Sequence, residues 1–194
     1  KQGTGTLTLS GTNTYTGVTT FTAGTVSVAT IGNGGVAGNL GQAANTANRL
    51  VFSGGTLQYT GATASTNRSF TLSTGSSGTI NVTSAGTNLT ISGASTATTG
   101  SLTKTGDGTL TLSGANLHTG ATNVGTAGGV SGGTLAYGAN NALATGTVNV
   151  YAGTLDLNSR TDTIGALNVG GGGAGTTANI TGTTGTLTLG GNLA

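Results

Sequence analysis

Apolar residues recur at every second position in short runs along this chain, and that period of two constrains the fold more than any other feature. Thr6-Leu7-Thr8-Leu9-Ser10 returns as Thr109-Leu110-Thr111-Leu112-Ser113 and again as Thr186-Leu187-Thr188-Leu189. The same alternation runs through residues 25–28, 56–59, 69–73, 79–82, 88–91, 147–150 and 154–157. Successive side chains of a strand point to opposite faces, so each run reads as a short strand with Leu, Val or Ile buried and Thr, Ser or Asn outside. Random low-complexity sequence would not hold this phase so often, so the chain is expected to fold.

Composition closes off the alternatives. Gly (40) and Thr (45) make up nearly half of the 194 residues, Glu, Met, Pro, Cys and Trp are absent, and helix formers are too scarce for a mainly helical domain. Leu, Ile, Val and Phe number only 38, near the level at which disorder becomes plausible, but the high net charge that goes with disorder is missing. No apolar run is long enough to cross a membrane as a helix. Without Cys there are no disulfides or thiolate metal sites. Five scattered basic residues (Lys1, Arg49, Arg68, Lys104 and Arg160) make no patch for a phosphate backbone, so nucleic acid is not an expected partner. With no Met anywhere, the chain reads as a processed product or a segment.

Short strands separated by Gly, Asn, Ser and Ala clusters fit a sandwich, a barrel or a solenoid. Seven aromatic residues are few for the wide core of the first two. The sequence also repeats itself. Shifted by 103 positions, Lys1 falls on Lys104, and 13 of the first 20 positions are identical, among them Gly3/Gly106, Gly5/Gly108, Asn13/Asn116 and Gly17/Gly120. The long repeat spans 1–103 and, as an incomplete second copy, 104–194. We therefore expect a single β-solenoid domain over 1–194. At roughly 20–25 residues per coil it would have eight or nine coils and form a rod about 40 Å long, with a stacked apolar column inside and Thr and Asn ladders outside.

Residues 106–124, Gly-Asp-Gly-Thr-Leu-Thr-Leu-Ser-Gly-Ala-Asn-Leu-His-Thr-Gly-Ala-Thr-Asn-Val, resemble the autotransporter-associated β-strand repeat, also called the passenger-associated transport repeat. Residues 1–28 share the pattern, with Asn13-Thr14-Tyr15-Thr16-Gly17 close to its usual form, and residues 31–36 and 50–61 resemble the segments between such repeats. The resemblance implies a right-handed parallel β-helix in a large bacterial surface or secreted protein exported by a type V-like route, where the repeats serve as stalk and folding scaffold. It brings no catalytic residues with it. Leu117-His118 departs from the usual Thr-Tyr, and a β-barrel translocator is not recognisable in these residues.

The candidates for chemistry are few. His118 is the sole imidazole and stands where the first repeat has Tyr15, so it is expected to fill a ring slot beside a turn. For a metal it would have only Asp107 nearby in sequence. Asp156, Arg160 and Asp162 are the densest charge cluster. Some β-helix lyases use carboxylates and basic groups on a strand face, but a lyase needs a base, a charge-neutralising group and several substrate-binding cations. Gly170, Gly172 and Gly175 fit G-x-G-x-x-G without the helix a dinucleotide site requires. Three Asp cannot supply a calcium ladder, and the sequons at Asn67, Asn81, Asn88 and Asn179 carry no information at this composition. No catalytic, cofactor-binding or metal site is expected, and the chain reads as a non-enzyme.

Neither end shows an amphipathic helix, a Pro or a charge cluster that would blunt a strand edge, which suggests a stretch of a longer solenoid or end-to-end stacking into a fibre. The leading expectation is a structural solenoid in an extracellular fibre, biofilm-type matrix or cell-surface stalk, with the chain itself as partner and no membrane insertion. An adhesin binding glycans, host ligands or other surface proteins is the second, with Tyr15, Tyr59, Tyr137 and Tyr151 as candidate contacts, although Tyr59 and Tyr137 share the inward phase of Leu57 and Leu135. A polysaccharide-processing β-helix enzyme is the third.

Overall fold

The computed structural model describes residues 1–129 and 131–194. Each alternating run forms a strand, and each Gly- or Asn-rich cluster turns the chain through a corner into the next. The first coil carries β1 (Thr6–Leu9) and β2 (Thr19–Phe21), and the second carries β3 (Thr25–Val28) and β4 (Leu50–Phe52), with a 3-10 turn at Ala47–Arg49 before β4. Then come β5 (Thr56–Tyr59), β6 (Ala64–Thr66) and β7 (Thr71–Leu72), followed by β8 (Ser77–Val82) and β9 (Asn88–Ile91). After them lie β10 (Ser101–Thr105), β11 (Thr109–Leu112), β12 (Thr122–Val124) and β13 (Thr134–Tyr137). The last two coils hold β14 (Val148–Val150), β15 (Gly153–Asp156), β16 (Thr161–Ile164), β17 (Leu167–Val169), β18 (Ala178–Thr181) and β19 (Thr186–Leu189).

The strands stack in parallel into a β-solenoid. One face is an eight-stranded sheet, β1-β3-β5-β8-β10-β12-β14-β17, and the second is six-stranded, β6-β9-β11-β13-β15-β18. The third face is made by β2-β4-β7 at one end and β16-β19 at the other. Six turns carry a strand in both long sheets, fewer than the eight or nine coils expected. The first two turns cross the second face without a strand, and some turns are long: 31 residues separate the paired Thr25 and Thr56, against 19 between Thr6 and Thr25.

Registration stacks like on like. Leu89, Leu110, Leu135, Leu155 and Ile180 form one inward column on the second face. On the third face Phe21 stacks on Phe52 with ring centroids 4.7 Å apart, and Phe70 meets Phe52 edge-on at 6.0 Å. Fully burying each such side chain contributes roughly 1.5–3 kcal/mol, which a coil of this size cannot gain without neighbours above and below. Gly78 shows how tightly the coils close, since a Cβ there would lie 2.5 Å from the Phe52 Cβ. Outside, the amide Nδ2 groups of Asn123, Asn149 and Asn168 donate to Thr103 Oγ1, Asn123 Oδ1 and Asn149 Oδ1 at 3.2, 2.7 and 2.7 Å, giving the outward ladder that the alternation implied.

The 103-residue repeat does not span a whole number of turns. β1 lies in the eight-stranded sheet, whereas its counterpart β11 lies in the six-stranded one. Likewise β2 of the third face corresponds to β12 of the first, and β3 of the first, allowing for six extra residues in the second copy, to β13 of the second. The second copy is therefore turned by one face of the prism relative to the first.

Candidate functional site

Despite that turn, the two copies build the same local structure. Gly3 and Gly106 adopt φ of 78° and 77°, in the left-handed region that favours glycine, and bend the chain just after the lysine. The bend points carbonyls back at the ammonium. Lys104 Nζ donates to the carbonyls of Thr105, Gly106 and Gly132 at 2.8, 2.9 and 2.9 Å. Lys1 Nζ donates to the matching carbonyls of Gln2, Gly3 and Ala23 at 3.0, 2.6 and 3.3 Å. Lys104 stands in an inward column between Ile80 and Val124 and is completely buried. Burial pushes its ammonium down to about 7, against the pull of Asp107 towards the charged form.

Further along each copy, Asn13 and Asn116 turn inward. Asn116 Nδ2 donates to Gly114 and Ala142 carbonyls at 2.9 and 2.8 Å, and Asn13 Nδ2 to those of Gly11 and Asn39 at 3.2 and 3.0 Å. His118 fills the expected ring slot. Its Nε2 is 2.9 Å from Thr122 Oγ1, as the Tyr15 hydroxyl is 2.9 Å from Thr19 Oγ1, and its Nδ1 is 2.9 Å from Ser95 Oγ. Desolvation lowers the imidazole to about 4, so it is neutral at pH 7.

These first 28 residues and their counterparts match a known family. The model of the passenger-associated-transport-repeat covers residues 1–28 and 102–136. Two copies of this repeat are thus built into the β-solenoid. No curated protein and no solved structure matches the chain. Within these repeats the Lys and the Asn tie off carbonyls where a coil turns a corner, the Gly makes the bend, and the ring residue closes on side-chain hydroxyls.

The remaining candidates disperse. Asp156 accepts from the Asn158 amide at 2.9 Å in a turn, and Arg160 is exposed. Asp162 points the other way, into the core, where its carboxylate accepts from the Leu143 and Thr163 amides at 3.0 and 2.7 Å. Burial raises the Asp162 carboxyl, opposed chiefly by those two amides, and the Tyr137 hydroxyl lies against it without the geometry of a hydrogen bond. The densest charge cluster of the sequence is thus split in space: the strand alternation of β16 sends Asp162 inward with Ile164. No ion pair joins them and no group of three potential metal ligands occurs among the described residues. Gly170, Gly172 and Gly175 lie in the turn before β18, and a strand follows where a nucleotide fold needs a helix. Tyr59 and Tyr137 are buried, as their phase implied, while Tyr15 is partly exposed on the first coil and Tyr151 follows β14, six strands away in the sheet.

Sequence reasoning missed two cations inside the coil. Arg68 Nε donates to the Gly32 carbonyl at 2.9 Å and Nη2 to that of Gly41 at 2.7 Å, bracing the long loop after β3; burial lowers its guanidinium. Lys104 carried a usable signal, because it stands two residues after inward Leu102 and so shares its phase.

Proposed function

We propose that this chain is a non-catalytic structural segment of a passenger, a rod that serves as a surface stalk or as part of an extracellular fibre. The observation that carries the reading is the use of its reactive side chains. Lys104, Arg68, His118 and Asp162 are each buried and each bonded to main-chain or hydroxyl groups of their own or adjoining coils. Such groups hold corners together. The repeat family points to a secreted or surface location, and no helix among the described residues is long and apolar enough to cross a membrane.

Grooves are shallow by comparison. One, about 240 Å³, is walled by Ser131, Ala152, Gly153, Gly175, Thr176 and Thr177, with no titratable side chain among them. Tyr15 and Tyr151 stand too far apart along the rod to act together as an aromatic stripe for a glycan. The test is electron microscopy and small-angle scattering of the purified chain, combined with a screen of acidic and neutral polysaccharides for cleavage or saturable binding. An inert rod about 35–40 Å long, eight strands at about 4.8 Å, is the expected result. Chain cleavage of any polysaccharide would overturn the reading.

A further inference from the structure

Asparagine followed by glycine is the dipeptide most prone to lose its side-chain amide, because the glycine nitrogen, unhindered by a Cβ, reaches the asparagine Cγ with little strain. The chain has 17 asparagines and one such pair, Asn33-Gly34. It lies in the long loop between β3 and β4, with Asn33 exposed to water and Gly34 partly buried.

The fold leaves little choice about either residue. A Cβ at position 34 would lie 2.6 Å from both Cα and Cβ of Asn45, too close for the main chain to tolerate, so the position requires glycine. Position 33 has to offer an acceptor, because Asn33 Oδ1 takes the main-chain N–H of Asn67 at 3.0 Å. Asn67 belongs to the adjoining coil, just after β6. The docked loop thus needs a labile pair for its own geometry.

Asn67 also covers the hazard. Its Oδ1 accepts the N–H of Gly34 at 2.9 Å. The two bonds run in opposite directions and close a clasp: one holds the carboxamide of Asn33, and the other holds the nitrogen that would attack it. Around the clasp, the Ser69 amide donates to Asn45 Oδ1 at 2.7 Å and Thr66 Oγ1 to the Gly32 carbonyl at 3.0 Å, beside the two Arg68 bonds to Gly32 and Gly41. Residues 66–69 are the seam on which the loop is fixed.

Loss of the amide begins when the Gly34 nitrogen gives up its proton and attacks Asn33 Cγ. A new C–N bond closes a five-membered succinimide, the Cγ–Nδ2 bond breaks, and the side-chain nitrogen leaves with the proton as ammonia. Water then opens the ring at either carbonyl, leaving aspartate or isoaspartate at position 33. The net change is amide plus water to acid plus ammonia. The attack demands a nitrogen that is free and brought into line with Cγ. In the clasp the N–H is committed to Asn67 Oδ1, and any rotation of the carboxamide towards it breaks the second bond.

We propose that Asn33 is the deamidation site of this chain and that Asn67 sets its rate, keeping the pair intact while the loop is docked and releasing it when the loop opens. Opening then leaves a permanent mark. Isoaspartate adds a methylene to the main chain ahead of Gly34, which carries the Gly34 N–H away from Asn67 and keeps the loop from docking as before. The inference concerns the durability of one loop and is independent of what the rod is for.

Mass spectrometry of the peptide containing Asn33 tests it, following the amide-to-acid mass change in the native chain and in urea at mildly alkaline pH, with chromatography to separate the two acids. The native chain should react at least about tenfold more slowly than the unfolded one, and Asn67→Ala, which loses the acceptor, should come within about threefold of the unfolded rate. Asn67→Asp restores an acceptor and should return the rate to that of the native chain. Asn45→Ala removes the Ser69 bond from the same loop but leaves the clasp, and should stay within about threefold of the native chain. Thermal unfolding confirms that the variants are folded at the assay temperature. The comparison of folded with unfolded wild type depends on no variant, and equal rates there overturn the proposal. So does an Asn67→Ala chain as slow as the wild type, and so does an Asn45→Ala chain as fast as Asn67→Ala, which assigns the protection to loop order rather than to the clasp.

Discussion

Tyr15 and His118 occupy one slot in two copies of the same motif, and each ring reaches the hydroxyl of the threonine four residues on, Thr19 or Thr122, at 2.9 Å. Different chemistry thus meets one geometric demand. The demand is for a flat side chain with a polar tip, and the imidazole satisfies it only while neutral.

That requirement gives His118 a pH signature. Its value is about 4 in the folded chain against 6.5 for an unperturbed imidazole, so between these values the unfolded chain binds the extra proton and stability falls as pH falls. The loss is complete below about pH 4 and amounts to about 3 kcal/mol, at about 1.4 kcal/mol per pH unit. Urea denaturation between pH 7 and pH 4 should show it. His118→Ala should be less stable by about 2–4 kcal/mol at pH 7, having lost a packed ring and the ring's bonds to the Ser95 and Thr122 hydroxyls, and should lack this part of the slope.

Lys104 acts in the alkaline range with the same sign. A folded value of about 7 against 10.5 means that the unfolded chain holds the proton longer, so stability rises between about pH 7 and pH 10. The rise is at most about 5 kcal/mol, and the three carbonyls that favour the ammonium reduce it. Lys104→Met, measured over the same range, should flatten the rise. An equal rise in the variant would show that another group is responsible.

Coil closure can be tested at Gly78. Gly78→Ala would drive a methyl group against Phe52 and Leu72 and should cost about 1–3 kcal/mol, read as a fall in Tm. Gly86→Ala is the matched control, because a Cβ there meets nothing within 4 Å, and it should leave Tm within about 2 °C.

The outward ladder is the fourth test. Asn149 both donates to Asn123 and accepts from Asn168, so Asn149→Ala removes two side-chain hydrogen bonds and should cost about 1–2 kcal/mol by thermal or urea unfolding. Asn168→Ala, which removes one, should cost about half as much.

Strand positions and the inward face were legible in the sequence because a period of two is local. Leu57 and Tyr59, or Leu135 and Tyr137, declare their side by parity alone, and the structure buries all four. The His118 slot was legible from the shift of 103 alone. Which face of the solenoid a strand joins was not, since that depends on the length of every preceding turn, and the loop between β3 and β4 alone displaces a simple count. The buried charges were hidden for a different reason. What makes Lys104 tolerable inside is the carbonyl of Gly132, and for Arg68 that of Gly41, each supplied from 27 or 28 residues away. Read locally, a charge in a polar sequence looks like surface.

The one-face turn between copies has a geometric consequence for any longer array of this unit. Whatever a copy displays at a given position, its successor displays a third of the way around the circumference, so a feature carried once per copy traces a spiral and returns to the same side only at every third copy. Such an array has no front and no back. Each such feature would face three directions in turn along its length.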